Sequence, residues 1–229
     1  MQLLTVSGPP SSGKTSIIIH LAKQYQALGK VVGVVKFDCI STEDDSLYKA
    51  AGIPVLVGLS GTICPDHYYV ANLLTAIEWG KKKSLDIMIL ESAGLCNRCS
   101  PHIKNAAAIC VIDNLMGART PRKIGPMLKF ADVVLITKGD IVSQAEREVF
   151  AFYIRQSNPK AMIFHVNGIT GQGCGELPAV LELQDADESA LELRFLMPAA
   201  VCAYCLGSTE ICEENTLGLI KMIDVQKNT

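Results

Sequence analysis

Residues 8–15 read GPPSSGKT, and no other run constrains the fold of this chain so strongly. The run fits G-x-x-x-x-G-K-[ST]. It follows an apolar β-type segment, residues 3–7, and opens an amphipathic helical stretch, residues 14–28. That strand, loop and helix context is what gives the pattern its meaning. Successive backbone N–H groups form an anion nest at a helix N-terminus, where the dipole also favours negative charge. Gly13 lets the backbone approach phosphates, Lys14 reaches the β- and γ-phosphates, and the Thr15 hydroxyl is a ligand for Mg²⁺. Gly8, Ser11, Ser12, Gly13, Lys14, Thr15 and Ser16 are the candidate phosphate contacts.

The rest of the chain repeats the strand and helix alternation. Residues 3–7, 31–36, 55–58, 87–90, 107–112, 133–137 and 162–166 are short, apolar and rich in β-branched residues. Such runs read as strands buried on both faces, the habit of parallel sheets. Helical patterns lie between them at 14–28, 69–82, 143–156 and 175–183, and Asn158-Pro159 ends the third. The predicted fold is α/β: a P-loop NTPase with a mostly parallel central sheet flanked by helices. Composition shifts near residue 184, so residues 1–184 are read as the main domain. Residues 185–229 are read as a small cysteine-bearing extension packed on it.

With 229 residues, 49% hydrophobic and 19% charged, the chain has ample material for a core. Basic and acidic residues nearly cancel, 21 against 23, which argues against nucleic-acid binding. No apolar run approaches the roughly 20 residues of a membrane span. Met1 to Ser7 lacks the pattern of a signal peptide, so a cytoplasmic location is expected. Nine Cys in a reducing compartment are then metal ligands or buried thiols rather than disulfides.

A second nucleotide element is TKGD at 137–140. The Asp140 carboxylate can accept two N–H bonds from guanine while the Lys138 stem covers the base. An ordinary turn after a strand is the alternative. VNGITGQG at 166–173 follows the next strand, and Asn167 and Gly168 offer backbone that closes over the base.

Four blocks together resemble the UreG/HypB family of nickel-insertion GTPases: GPPSSGKT, FDCISTEDD at 37–45, VIDNLMGARTPRKIGPMLKFADVVLITKGD at 111–140, and VNGITGQG. The resemblance implies a P-loop GTPase binding GTP/GDP and Mg²⁺. It implies a homodimer formed with nucleotide and metal, which moves a metal, Ni²⁺ or Zn²⁺, to a client metalloenzyme or its maturation factors. Asp38 matches the family's first switch aspartate, and Glu91 opens ESAG where the family also has Glu. With Lys14 they are the implied catalytic residues, and with Thr15 the implied Mg²⁺ ligands. Cys64 and His67, in TICPDH, stand where the family carries its metal motif, with one extra residue before the His. Cys99, near Pro101, matches a Cys after the family's ExxG, and Cys96 completes C-x-x-C. That pair is read as transition-metal ligands beside a switch, or as a redox or structural pair.

Cys202, Cys205 and Cys212 make a further thiol group that suits Zn²⁺, an iron–sulfur cluster or simple packing. Cys39, Cys110 and Cys174 read as buried or loop thiols. His20 and His165 read as structural, and His102 as a polar loop residue. Two other functions stay open on the residues alone. One is a P-loop ATPase or kinase acting on a small molecule, which has no need of cysteine clusters. The other is a non-catalytic metal or iron–sulfur sensor.

Overall fold

The computed structural model describes residues 1–196, 208–212 and 221–226. Cys202 and Cys205 lie outside the described residues. The seven apolar runs all form strands: β1 (Gln2–Ser7), β2 (Val32–Asp38), β3 (Val55–Leu59), β4 (Ile87–Glu91), β5 (Ala107–Asp113), β6 (Val133–Thr137) and β7 (Met162–His165). Every pairing is parallel, in the order β3-β2-β4-β1-β5-β6-β7. The inner strands β1, β4, β5 and β6 are buried along almost their whole length, and β7, at the edge, is not. Double-sided burial is why the inner strands read as unbroken apolar runs instead of alternating ones.

The helices are α1 (Lys14–Ala27), α2 (Asp44–Ala50), α3 (Pro65–Ala71), α4 (Leu73–Lys82), α5 (Pro126–Lys129), α6 (Gln144–Ser157) and α7 (Leu177–Val180). Alternate strand residues feed opposite layers. Leu4, Val6, Ile87 and Ile89 join Ile17, Ile18, Leu21 and Tyr48 of α1 and α2. Leu3, Met88 and Leu90 join Tyr69, Leu73, Ile77 and Trp79 of α3 and α4. The described residues after 184 contribute Leu191, Leu193, Ile211 and Ile223 to that second layer.

Two helical expectations change, and two short helices, α2 and α5, are additional. The single helix expected over 69–82 is two, broken at Asn72, which has φ −104° and ψ 5°. The buried Asn72 amide donates to the Tyr68 and Lys221 carbonyls, both at 2.9 Å, and its oxygen accepts from the Ile223 N–H at 2.7 Å. The break therefore fixes a C-terminal segment. The helix expected over 175–183 shrinks to the single turn α7, because Pro178 is tolerated only near a helix start. Helix α2 has no counterpart in the sequence reading. By contrast α6 begins where its sequence says, at a capping box of Ser143 and Glu146.

His102 corrects the reading of a polar loop residue, because it is fully buried. Its Nε2 lies 3.0 Å from the Met127 carbonyl and 3.1 Å from Ser7 Oγ. Its Nδ1 lies 2.8 Å from Thr5 Oγ1. A carbonyl only accepts, so Nε2 carries the proton and Nδ1 accepts from Thr5. Burial pushes the pKa of this neutral ring down to about 4. Between that value and about 6.5 the unfolded chain takes a proton that the native ring refuses. Stability should therefore fall by about 3 kcal/mol as pH drops through this window. Urea unfolding at pH 7, 6 and 5 should show the loss in the wild type. His102→Gln should start less stable but with a shallower pH slope, and an unchanged slope would contradict the assignment.

Candidate functional site

The carboxyl ends of the parallel strands converge on one edge, where open α/β sheets bind ligands. There β1 runs into the loop of residues 8–13, and Gly13, left-handed at φ 93°, caps α1. Lys14 folds back over the loop, and its Nζ donates to the carbonyls of Gly8 at 2.9 Å and Pro9 at 3.0 Å. Burial lowers its pKa to about 8, against the pull of Glu91. Gly8 and Gly94 are both required. A Cβ on Gly8 would strike the Val111 carbonyl, and one on Gly94 would strike the Gly8 carbonyl. The segment after β4 therefore lies directly on the phosphate loop.

Glu91 is fully buried at the end of β4. In the parallel register it stands opposite Val6 of β1 and Lys36 of β2. Its Oε1 accepts from Thr15 Oγ1 at 3.1 Å and Lys36 Nζ at 2.8 Å, and its Oε2 accepts from the Tyr48 hydroxyl at 2.6 Å. Lys36 also pairs with Asp44 at 2.7 Å and stands 3.8 Å from Asp38. Burial alone would lower the Lys36 pKa, but Glu91 and Asp44 outweigh it and hold the pKa above its ordinary value. Asp44, despite burial, is held below the usual carboxylate range by Lys36. Thr15 bonds Glu91 directly, Asp38 approaches the same group through Lys36, and the oxygens of all three are hard donors of the kind that suits Mg²⁺. Lys36, Asp44 and Tyr48 are additions that sequence reasoning missed. A lysine inside the apolar run VVGVVKFD was the available signal.

The TKGD turn is tied to the same loop. Thr137 Oγ1 donates to the Ser12 carbonyl at 2.7 Å. Lys138 Nζ donates to the Ser11 carbonyl at 2.8 Å and to Asp113 at 3.1 Å. Asp140 is exposed beside them. Asn167 shapes its own turn by accepting from the N–H groups of Ile169 and Thr170. The Gly168 carbonyl accepts from His20 Nε2 at 3.1 Å, which gives His20 its structural role. Ser16 lies under Gly168. Arg122 is occupied elsewhere, stacked 4.7 Å over Tyr153 and bonded to Gln156.

A second centre follows the phosphate-loop contact. Ligand atoms of Asp66, Cys96 and Cys99 all lie within 4.8 Å of one another. Asp66, Tyr69 and Val70 form the buried face of α3, at helical spacing, while His67 is half-buried on the neighbouring face. The extra residue in TICPDH is therefore the one that turns inward. Burial lifts the Asp66 pKa to about 6, partly offset by a hydrogen bond from Cys99 and by His67. Cys99 is pushed up by burial and by the nearby Asp66, Cys96 and Cys64. Cys64 caps α3 at the edge of this group. Between the thiols, the Asn97 carbonyl sits where a Cβ on Gly125 would be. Cys110 and Cys174 are buried as expected.

The sequence profile of the CobW/HypB/UreG nucleotide-binding domain matches residues 2–165. The chain belongs to the CobW/HypB/UreG family. It is 47% identical over 226 residues to "Uncharacterized protein MJ0120" of Methanocaldococcus jannaschii, covering 98% of this chain and 97% of that one. It is 30% identical over 190 residues to urease accessory protein UreG of Trichodesmium erythraeum, covering 76% of this chain and 87% of UreG. The crystal structure of HypB from Helicobacter pylori in complex with nickel shares the fold, with TM-score 0.62 and 21% identity over 77% of this chain and 83% of that one.

In this CobW/HypB/UreG domain the contact of Gly94 with Gly8 is the tightest link between the phosphate loop and the segment leading to the thiols. Gly94 also has φ 72°. Gly94→Ala should cost at least about 2 kcal/mol from the clash and the left-handed backbone together. Urea unfolding checks this, and a loss below about 0.5 kcal/mol would mean that the loop has room to move.

Proposed function

We propose that this protein is a slow GTPase that dimerises with nucleotide. In this reading it carries a transition metal, nickel or zinc, to a client metalloenzyme or its maturation factors in the cytoplasm. Residues 1–184 are the GTPase domain, and residues 185–229 an extension on it. One observation carries the reading. A single segment, residues 91–99, begins at the phosphate-loop glutamate and ends at the paired thiols. The names of the relatives, a urease accessory protein and a HypB crystallised with nickel, support nickel as cargo.

Thr15, Asp38 and Glu91 would hold Mg²⁺, which supplies charge neutralisation for the β- and γ-phosphates. Lys14 would leave the Gly8 and Pro9 carbonyls for phosphate oxygens, and the phosphate charge would then keep it protonated. Asp140 would accept the guanine N–H pair, with Lys138 against the base and Asn167 and Gly168 beside it. The cargo metal would take Cys96, Cys99 and Cys64, with Asp66 and His67 as the oxygen and nitrogen candidates. Two such sets meeting across a dimer interface would let nucleotide-driven association control the metal. Thiolate and imidazole donors suit Ni²⁺ and Zn²⁺.

Asp140→Asn should weaken GTP binding at least tenfold, or about 1.4 kcal/mol, and shift preference toward xanthosine triphosphate. Competition binding measures this, and equal competition by ATP and GTP in the wild type would refute guanine recognition. For the cargo, Cys99→Ala should lower Ni²⁺ or Zn²⁺ affinity at least about tenfold and spare GTP binding. Metal uptake should also weaken as pH falls, since thiols must release protons and Cys99 holds its proton tightly. Isothermal titration at pH 8 and 6.5 checks both, and pH-independent uptake would place the metal elsewhere.

A further inference from the structure

The most unusual charge in the domain is Lys36. It is a buried ammonium near the carboxyl end of β2, standing in register with the buried Glu91. Neighbouring parallel strands project registered side chains to the same face, so the two groups meet at 2.8 Å. The rest of the surrounding geometry closes Glu91 off. Oε1 receives both Lys36 Nζ and Thr15 Oγ1, while Oε2 receives the Tyr48 hydroxyl. Asp44 and Tyr48 lie one turn apart on α2 and so share a face. Asp44 pairs with Lys36 at 2.7 Å, and Tyr48 bonds Glu91 at 2.6 Å. Helix α2 is thus pinned over the site by the lysine–glutamate pair.

A divalent ion and this ammonium cannot share Glu91 Oε1. An ion bound at about 2.1 Å from that oxygen would stand within a few ångströms of Nζ, and both Lys36 and Glu91 are buried. Repulsion between like charges at that range is large. We propose that Lys36 is a built-in competitor for the divalent ion. It neutralises Glu91 and latches α2, and it gives way only when the phosphates of a nucleotide arrive with the ion. The site then takes metal and nucleotide as a unit and stays closed to the free ion. This inference rests on the proposed magnesium role of Glu91, not on the identity of the base.

The test uses the full chain, stripped of nucleotide and metal, with Mn²⁺ as the probe read by electron paramagnetic resonance. Mn²⁺ prefers oxygen donors to thiolates, which steers it away from the cysteine cluster. The wild type should bind Mn²⁺ weakly alone and at least about tenfold more tightly with GDP present. Lys36→Met should bind Mn²⁺ alone at least about tenfold more tightly than the wild type. Lys36→Arg should restore the weak binding, because it restores the cation. Adding Glu91→Gln to Lys36→Met should abolish the gain. Lys36→Gln keeps a donor for Glu91 and carries the same comparison should Lys36→Met not fold. Tight Mn²⁺ uptake by the nucleotide-free wild type would overturn the proposal. So would an affinity for Lys36→Met and Lys36→Gln matching the wild type. The contrast between wild type and Lys36→Met is read without nucleotide, so failure of GTP recognition would leave it standing. Its own failure would leave GTP recognition intact.

Discussion

A carboxylate with no exposed surface has to be paired, and Glu91 is such a group. Its partners come from three elements: Thr15 from α1, Lys36 from β2 and Tyr48 from α2. This one group therefore ties the phosphate-loop helix and β2 to the end of β4. It also sets why a short helix folds over the sheet edge. The strand order β2-β4-β1 supplies the geometry by placing Lys36, Glu91 and Val6 in one row.

From Glu91 the chain runs through a series of tight anchors. Gly94 lies on the Gly8 carbonyl, and Asn97 lies on Gly125. The thiols of Cys96 and Cys99, on either side of Asn97, meet Asp66. His102 then closes the segment by reaching Thr5, Ser7 and Met127. A cysteine pair held at both ends by packed backbone has few ways to move independently. In the proposed reading, a shift at the phosphate loop would reach the thiols through the packed contact of Gly94 with Gly8.

Much of this was legible in the sequence, for reasons that differ by residue. The phosphate loop was readable because its demands are local: Gly13 for a left-handed turn, Lys14 and Thr15 at fixed offsets. The strands were readable because burial on both faces writes itself into the sequence. The partners of Glu91 were hidden, since Lys36 and Glu91 are far apart in sequence and meet only through the strand order. Asp66 was hidden, because a carboxylate beside a Cys and a His does not announce which of them faces inward. The helical phase that turns Asp66 inward with Tyr69 and Val70 depends on where α3 starts, at Pro65. The break at Asn72 and the burial of His102 were hidden in the same way, since both answer to partners remote in sequence.

Phosphate and thiol sites that sit on one segment should share free energy. Metal affinity measured with and without a non-hydrolysable GTP analogue tests it most directly, using Zn²⁺ or Ni²⁺ titrated into the full chain. The affinity should change at least about fivefold between the two states. Analogue affinity should change by the same factor with and without metal, because coupling is reciprocal. Metal affinities that coincide in the two nucleotide states would contradict it.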